Sequence, residues 1–411
     1  MITKKIIKSI IFSGLSFFMV AAHANDALLK STELTSPQQA LFSINNHRET
    51  VQFSRAMTDT DFSKKSQTQP VKTESQEYWF RVSGNDLKQG VTLDTSGVEA
   101  LIRISPKSMH DPRLPVAKQS APSTNLAIDL EQLEITTPSG KVTKGIEAMS
   151  FHANSKQLET TPFEKGTSAF KIDKAYATGR YQLKTSQSIP DKQEYLIYVL
   201  DKNSPYKLNM TLDNQQLFSG QNMSAKIELK KSGITTNLES VSGNIVSPGG
   251  KVYPINLTAS KSGAFKFEEP LDMPFANRAG LWEMRVVSET QGGSSTIKRN
   301  SKLAFAFQPK TARVNKKSKQ ASPSKAGLTN AVNISVSHAG RYEVTGVLYI
   351  VDRDGTAKSI AEARTAKWIE QGSDKVELLF QKSLLPALKR GQKFKVGNIG
   401  LNDQSRMSRL Q

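Results

Sequence analysis

The chain has 411 residues, no cysteine, and 56 Lys and Arg against 37 Asp and Glu, a formal charge of +19. The missing thiols exclude disulfide bracing, cysteine nucleophiles and zinc–thiolate sites, so the fold must rest on apolar cores. The length exceeds what one core holds and implies about two to four domains. The positive excess favours an anionic surface polymer, anionic lipid or nucleic acid as partner, against the plainer reading of a high-pI surface with no specific ligand.

The first 24 residues have the layout of a secretory signal. Lys4, Lys5 and Lys8 precede an apolar run over 10–22, and Ala22-His23-Ala24 supplies the small-residue cleavage pattern. The run is too short to span a bilayer comfortably, and no later segment is apolar enough for a membrane helix. The expectation is cleavage near Ala24 and a secreted or periplasmic chain of about +16, with no transmembrane segment.

Residues 25–75 read as a poorly structured arm, polar over 63–75 and unable to bury its own core. One island, 51–57, alternates and could add a strand to a later sheet. From Tyr78 short runs with period two alternate with Gly, Pro, Asn, Asp and Ser, the signature of strands and turns. Residues 76–202 form the first expected β-sandwich domain, with strands at 78–82, 98–104, 126–135, 170–172, 180–184 and 195–200. The long polar loop over 106–123 is either functional or unstructured.

A boundary is expected at Asp201-Lys202-Asn203-Ser204-Pro205. Residues 203–308 then carry seven short apolar runs, the count of an immunoglobulin-like sandwich, with a hairpin turn at Ser247-Pro248-Gly249-Gly250-Lys251. A basic linker is expected over 309–327, and a C-terminal β-sandwich domain over 328–411 with a short helix around 384–389. The fold class expected is therefore all-β: tandem immunoglobulin-like sandwiches behind a flexible N-terminal arm. Gly179-Arg180-Tyr181, Gly280-Leu281-Trp282 and Gly340-Arg341-Tyr342 echo one another, although the third falls too early in its domain to be equivalent.

Chemistry-bearing motifs are sparse. The sequence holds no G-x-S-x-G elbow, no H-E-x-x-H and no phosphate loop. His47, His110, His152 and His338 are scattered and read as surface residues, and Glu268-Glu269 and Asp59/Asp61 as solvated turns. Asp352 and Asp354, in Asp352-Arg353-Asp354-Gly355, resemble the start of a calcium loop but lack its downstream Glu; Asp-Gly is first a hairpin signal. No catalytic residue and no cofactor is assigned. Lys316, Lys317 and Lys319 form the one candidate binding patch. Without interleaved aromatics they do not suggest sequence-specific nucleic-acid binding.

The stretches Tyr78-Trp79-Phe80-Arg81-Val82, Gly90-Val91-Thr92-Leu93 and Glu99–Pro106, with Gly340–Tyr349 and Asp403-Gln404-Ser405-Arg406-Met407, resemble an uncharacterised domain family of secreted gammaproteobacterial proteins. The resemblance covers most of the chain after residue 75. It implies exported immunoglobulin-like domains, and type II secretion substrates occur among such proteins. The functional expectation is a secreted, non-enzymatic protein contacting anionic surface polymers or host proteins. The alternatives are a glycan-active hydrolase with an inter-domain site, and a periplasmic accessory or chaperone-like module.

Overall fold

The computed structural model describes residues 34–38, 40–57, 70–107, 126–271, 273, 280–293, 295–315 and 321–411. The signal segment, most of the 106–123 loop, His110, Asp59, Asp61 and the Lys316/Lys317/Lys319 patch lie outside them. Nearly every described element is a strand, and among the described residues no helix is long and apolar enough to cross a membrane.

Two strands come first, β1 (Val51–Ala56) and β2 (Val71–Ser75). The first sandwich follows, with β3 (Glu77–Ser83), α1 (Gly84–Gln89), β4 (Val91–Thr95), β5 (Leu101–Pro106), β6 (Leu133–Thr136), β7 (Val142–Lys144), β8 (Met149–Ala153), β9 (Ser168–Ile172), β10 (Gly179–Thr185) and β11 (Glu194–Leu200). Its sheets run β4-β10-β6-β7 and β3-β11-β5-β9-β8. Between them lie Tyr78, Ile102, Ile104, Phe170, Tyr181, Leu183, Tyr195 and Ile197. The period-two pattern does this directly: along β11 Tyr195, Ile197 and Val199 point inward while their neighbours point out.

The second sandwich contains β12 (Tyr206–Leu212), β13 (Gln216–Phe218), β14 (Asn222–Lys231), β15 (Ile234–Thr236), β16 (Ser240–Val246), β17 (Val252–Ile255), β18 (Thr258–Ala259), β19 (Phe265–Pro270), β20 (Trp282–Gln291) and β21 (Thr296–Gln308). Trp282, Phe305 and Phe307 anchor its core, with the Phe307 ring edge-on to Trp282 at 5.2 Å. The third contains β22 (Ala312–Val314), β23 (Ser322–Ser324), β24 (Gly327–Val336), β25 (Gly340–Val351), β26 (Ala357–Ile369), β27 (Gly372–Gln381), β28 (Lys393–Asp403) and β29 (Ser408–Arg409). Tyr342, Leu348, Val376, Leu378 and Phe380 fill it.

Each sandwich carries the same hairpin. After β6, Gly140 N–H donates to Thr137 O at 2.9 Å; after β16, Gly250 N–H donates to Ser247 O at 2.8 Å; after β25, Gly355 N–H donates to Asp352 O at 3.0 Å. The three glycines sit at φ 82°, 85° and 89°, left-handed values that glycine adopts without strain. A glycine near the start of a neighbouring strand packs on the second turn residue: Gly179 on Pro138, Gly280 on Pro248, Gly391 on Arg353. Gly179 and Gly280 are thus equivalent, and the third-domain counterpart is Gly391, not Gly340.

The arm departs from the sequence expectation. β1 pairs antiparallel with β26 of the third sandwich, and β2 with β12 of the second. Upstream, Thr35 N–H donates to Lys310 O at 2.8 Å and Ile44 N–H to Ser405 O at 2.8 Å. β1 stays largely exposed, so main-chain pairing to a distant edge, not apolar burial, orders it. The alternating island at 51–57 joins a sheet because its partner is supplied some three hundred residues later. Parts of the expected 309–327 linker are also built in, as β22 and β23 on β24. The short helix expected at 384–389 is a single tight turn at Lys382–Leu384. A helix absent from the sequence reading, α1, is set by a capping box in which Ser83 and Asp86 bond reciprocally.

Candidate binding surfaces

The Asp352/Asp354 pair forms a turn. Asp354 Oδ1 accepts from Thr356 N–H at 2.9 Å, holding its carboxyl below the usual carboxylate range, and Asp352 Oδ1 accepts from Gln392 Nε2 at 2.7 Å. Among the described residues no group of three or more His, Cys, Asp or Glu is placed to hold a metal ion. His47 and His152 are exposed. His338, expected at the surface, is buried: its Nδ1 lies 2.9 Å from Ser337 Oγ and its carbonyl accepts from Tyr342 Oη at 2.6 Å. The Tyr342 hydroxyl on β25 holds its carbonyl, so the helpful sequence signal was the aromatic two residues after Gly340. Glu268 pairs with Lys266 at 3.6 Å on an open sheet face, and Glu269 beside it is exposed.

The junction of the first two sandwiches is a buried polar knot. Arg299 on β21 is 1% exposed and its Nη2 donates to Asp201 Oδ2 at 3.1 Å, Ser96 Oγ at 3.0 Å and Ser204 Oγ at 2.6 Å. Its Nε donates to Tyr206 O at 3.2 Å. Asp201, 0% exposed, also accepts from Ser96 N–H at 2.9 Å and Gly97 N–H at 2.9 Å. Burial pulls the Arg299 guanidinium below its ordinary value while Asp201 pulls the other way. A second bridge crosses nearby, from Lys298 to Asp94 at 3.4 Å. The far end of β21 meets the third sandwich, where Gln308 bonds Ser408 Oγ and Gln216 Nε2 donates to Arg409 O at 2.7 Å. β21 therefore touches both neighbours, the first sandwich near its start and the third at its end.

The outer face of the β3-β11-β5 sheet carries an aromatic–cation ladder. Register places Trp79 opposite Tyr198 and Tyr198 opposite Arg103. The Trp79 and Tyr198 rings stack at 6.3 Å and 11°. The Arg103 guanidinium lies between Tyr198 at 4.4 Å and Phe163 at 4.5 Å. Tyr198 Oη donates to Glu77, and burial, with that carboxylate, pushes its pKa up. Leu101, Leu196 and Leu200 extend the apolar character, all half-buried, and Phe163 and Phe151 are exposed at 42% and 52%. Alternation alone would place polar side chains here, so β11 is apolar on both faces. The sequence revealed the strands but not their register, and Phe163 arrives from a loop.

Fold and surface define a class: a three-sandwich β protein with its unit boundaries at hydrogen-bonded junctions. Family models match the chain in three consecutive parts, the N-terminal, central and C-terminal domains of DUF4785, a domain of unknown function, over residues 43–201, 204–308 and 311–411. The chain belongs to the DUF4785 family. Its N-terminal unit thus includes β1 and β2, whose hydrogen-bond partners lie in the other two units. A DUF4785 family protein from Legionella pneumophila has a similar crystal structure, with TM-score 0.69, 23% identity, and 91% of this chain and 95% of that chain covered. An alpha-2-macroglobulin from Escherichia coli aligns at TM-score 0.21 and 11% identity, over 74% of this chain and 20% of that one. A comparison with curated proteins gave no match.

Proposed function

We propose that the protein is an exported, non-enzymatic binding protein that attaches to molecules on host or environmental surfaces. Its partner is a protein, and its contact surface is the outer face of the first sandwich. The observation that carries this reading is the Trp79–Tyr198–Arg103–Phe163 ladder. Trp, Tyr and Arg are the side chains that dominate protein–protein interfaces, and clustered outward apolar groups mark such contacts. Flanking pairs, Arg81–Glu194 at 2.9 Å and Lys107–Glu164, give the patch a charged rim.

The test is a saturation isotherm of purified mature protein on intact cells and on cells stripped with protease. Saturable binding that disappears on stripping, and that falls at least about tenfold in Phe163→Ser and Trp79→Ser, is expected. Binding unchanged by both substitutions would remove the ladder as the contact. Fractionation with and without type II secretion tests export: secretion-dependent release is expected, whereas retention in the periplasm would favour the accessory-module reading.

A further inference from the structure

The third sandwich ends in a cationic tip. β25 opens at Gly340, beside Ser405 and Arg406 near the second sandwich, and runs twelve residues to Val351. At about 3.4 Å per residue its far end lies roughly 37 Å away. The Asp352-Arg353-Asp354-Gly355 turn caps that end. β28 starts there as well, with Lys393 opposite Val351, Phe394 opposite Ile350 and Lys395 opposite Tyr349. Lys358 faces Ile350 from the other side, and Arg353 lies against Gly391. Arg353, Lys358, Lys389, Arg390, Lys393 and Lys395 thus gather toward this end of the third sandwich, and all six are exposed.

Cations on the flat faces are either paired or, like Lys184 on β10 and Lys302 on β21, exposed singly, whereas six gather at the tip. On the second sandwich Lys226 pairs with Glu228 at 2.8 Å and Lys207 with Glu74 at 3.2 Å. At the tip, no carboxylate among the described residues lies within ion-pair distance of the six. Residues 378–402 contain no Asp or Glu at all. The two acids of the turn are engaged by Thr356 and Gln392. Apolar side chains sit among the cations: Leu388 is 40% exposed, and Leu384, Leu385 and Phe394 are half-buried.

We propose that this tip docks the protein onto an anionic lipid surface, its lysines and arginines on headgroup phosphates and Leu388 at the acyl boundary. Cations draw a polypeptide to anionic lipid, and apolar side chains between them convert attraction into insertion. A soluble polyanion would use the charges but leave Leu388 idle, which favours lipid. The proposal is independent of the first-sandwich ladder.

The experiment is co-sedimentation of the full mature chain with phosphatidylcholine vesicles, with and without phosphatidylglycerol, across a salt series, with soluble dextran sulfate as competitor. Binding confined to anionic vesicles and weakened by salt is expected. Arg390→Gln/Lys393→Gln should lose about 25-fold, near fivefold per charge removed. Leu388→Asn should lose several-fold on vesicles while binding dextran sulfate as before. Trp79→Ser should bind vesicles like the parent, so that failure of the ladder reading and of this one are told apart. Trp368 fluorescence confirms that the third sandwich is folded in each variant. Equal binding to neutral vesicles, no vesicle binding, or indifference to the double substitution would overturn the proposal. So would a Leu388→Asn protein that binds vesicles unchanged, which would make the tip a polyanion site.

Discussion

Replacing Asp201 by Asn tests whether the first two sandwiches are held as one unit by a buried charge. The Asp201 carboxylate accepts from Ser96 N–H, Ser96 Oγ, Gly97 N–H and Arg299 Nη2. An amide supplies one oxygen and turns an NH2 toward donors, so at least one former partner faces a donor. Arg299 then keeps its charge at 1% exposure with no counterion. Breaking one side of a buried pair costs about 3–5 kcal/mol. Arg299→Met should cost less, because Asp201 retains its backbone and hydroxyl donors, and adding it to Asp201→Asn should recover part of the loss. The assay is urea unfolding followed by hydrogen exchange, read on peptides from β11 and β21. In the parent these should lose protection together; in Asp201→Asn the two sandwiches should open in separate steps. A cost below about 1 kcal/mol, or additive single effects in the double variant, would refute the reasoning.

Gly179→Ala and Gly280→Ala should each destabilise their own sandwich by about 1–3 kcal/mol in thermal unfolding. Both glycines have φ near 145°, and a Cβ would meet Pro138 or Pro248 at 3.0 Å. Burial pushes Tyr181 and Tyr195 up to about 12 from an ordinary 10.0. Their contribution is present in full below the unfolded value and is lost as pH rises through the folded one. Stability should therefore fall between about pH 10 and 12, with tyrosinate absorbance appearing as the first sandwich unfolds. The Arg48 guanidinium stacks on Trp368 at 4.5 Å from the arm. Arg48→Ala should shift Trp368 emission while changing stability by no more than about 1 kcal/mol; an unchanged spectrum would place the arm elsewhere in solution.

Local chemistry was legible in the sequence wherever it was complete within a few residues. Ser247-Pro248-Gly249-Gly250-Lys251 read as a hairpin and is one, since proline, glycine and the hydrogen bonds they close lie together. The same logic made Asp352-Arg353-Asp354-Gly355 a turn before a calcium loop. Three features needed partners far along the chain. β1 alternates as expected of a strand, but Val51 and Phe53 stay exposed and it is ordered by β26. Arg299 shares the inward register of Ile297, Leu303, Phe305 and Phe307 on β21, but nothing local supplies the counter-charge that lets an arginine be buried there. Asp201 and Ser204 read as a domain boundary because Asp, Asn, Ser and Pro usually form one; the boundary is also the junction, and its polar side chains are what Arg299 requires. The ladder shows the same limit, because Trp79, Tyr198 and Arg103 meet only through register.

That division bears on what this chain can tolerate. Hairpins and core alternation can change one strand at a time, since each is satisfied locally. The Arg299–Asp201 knot and the two arm strands join sequence-distant units, so a change in one must be matched in another. β1 and β2 belong to the N-terminal family unit yet extend sheets of the other two. An excised central or C-terminal unit would therefore expose β12 or β26 as an unpaired edge, an invitation to intermolecular pairing. The second unit made with β2 appended should stay monomeric where the unit without it associates. Equal behaviour of the two would mean that β2 is not what protects the β12 edge.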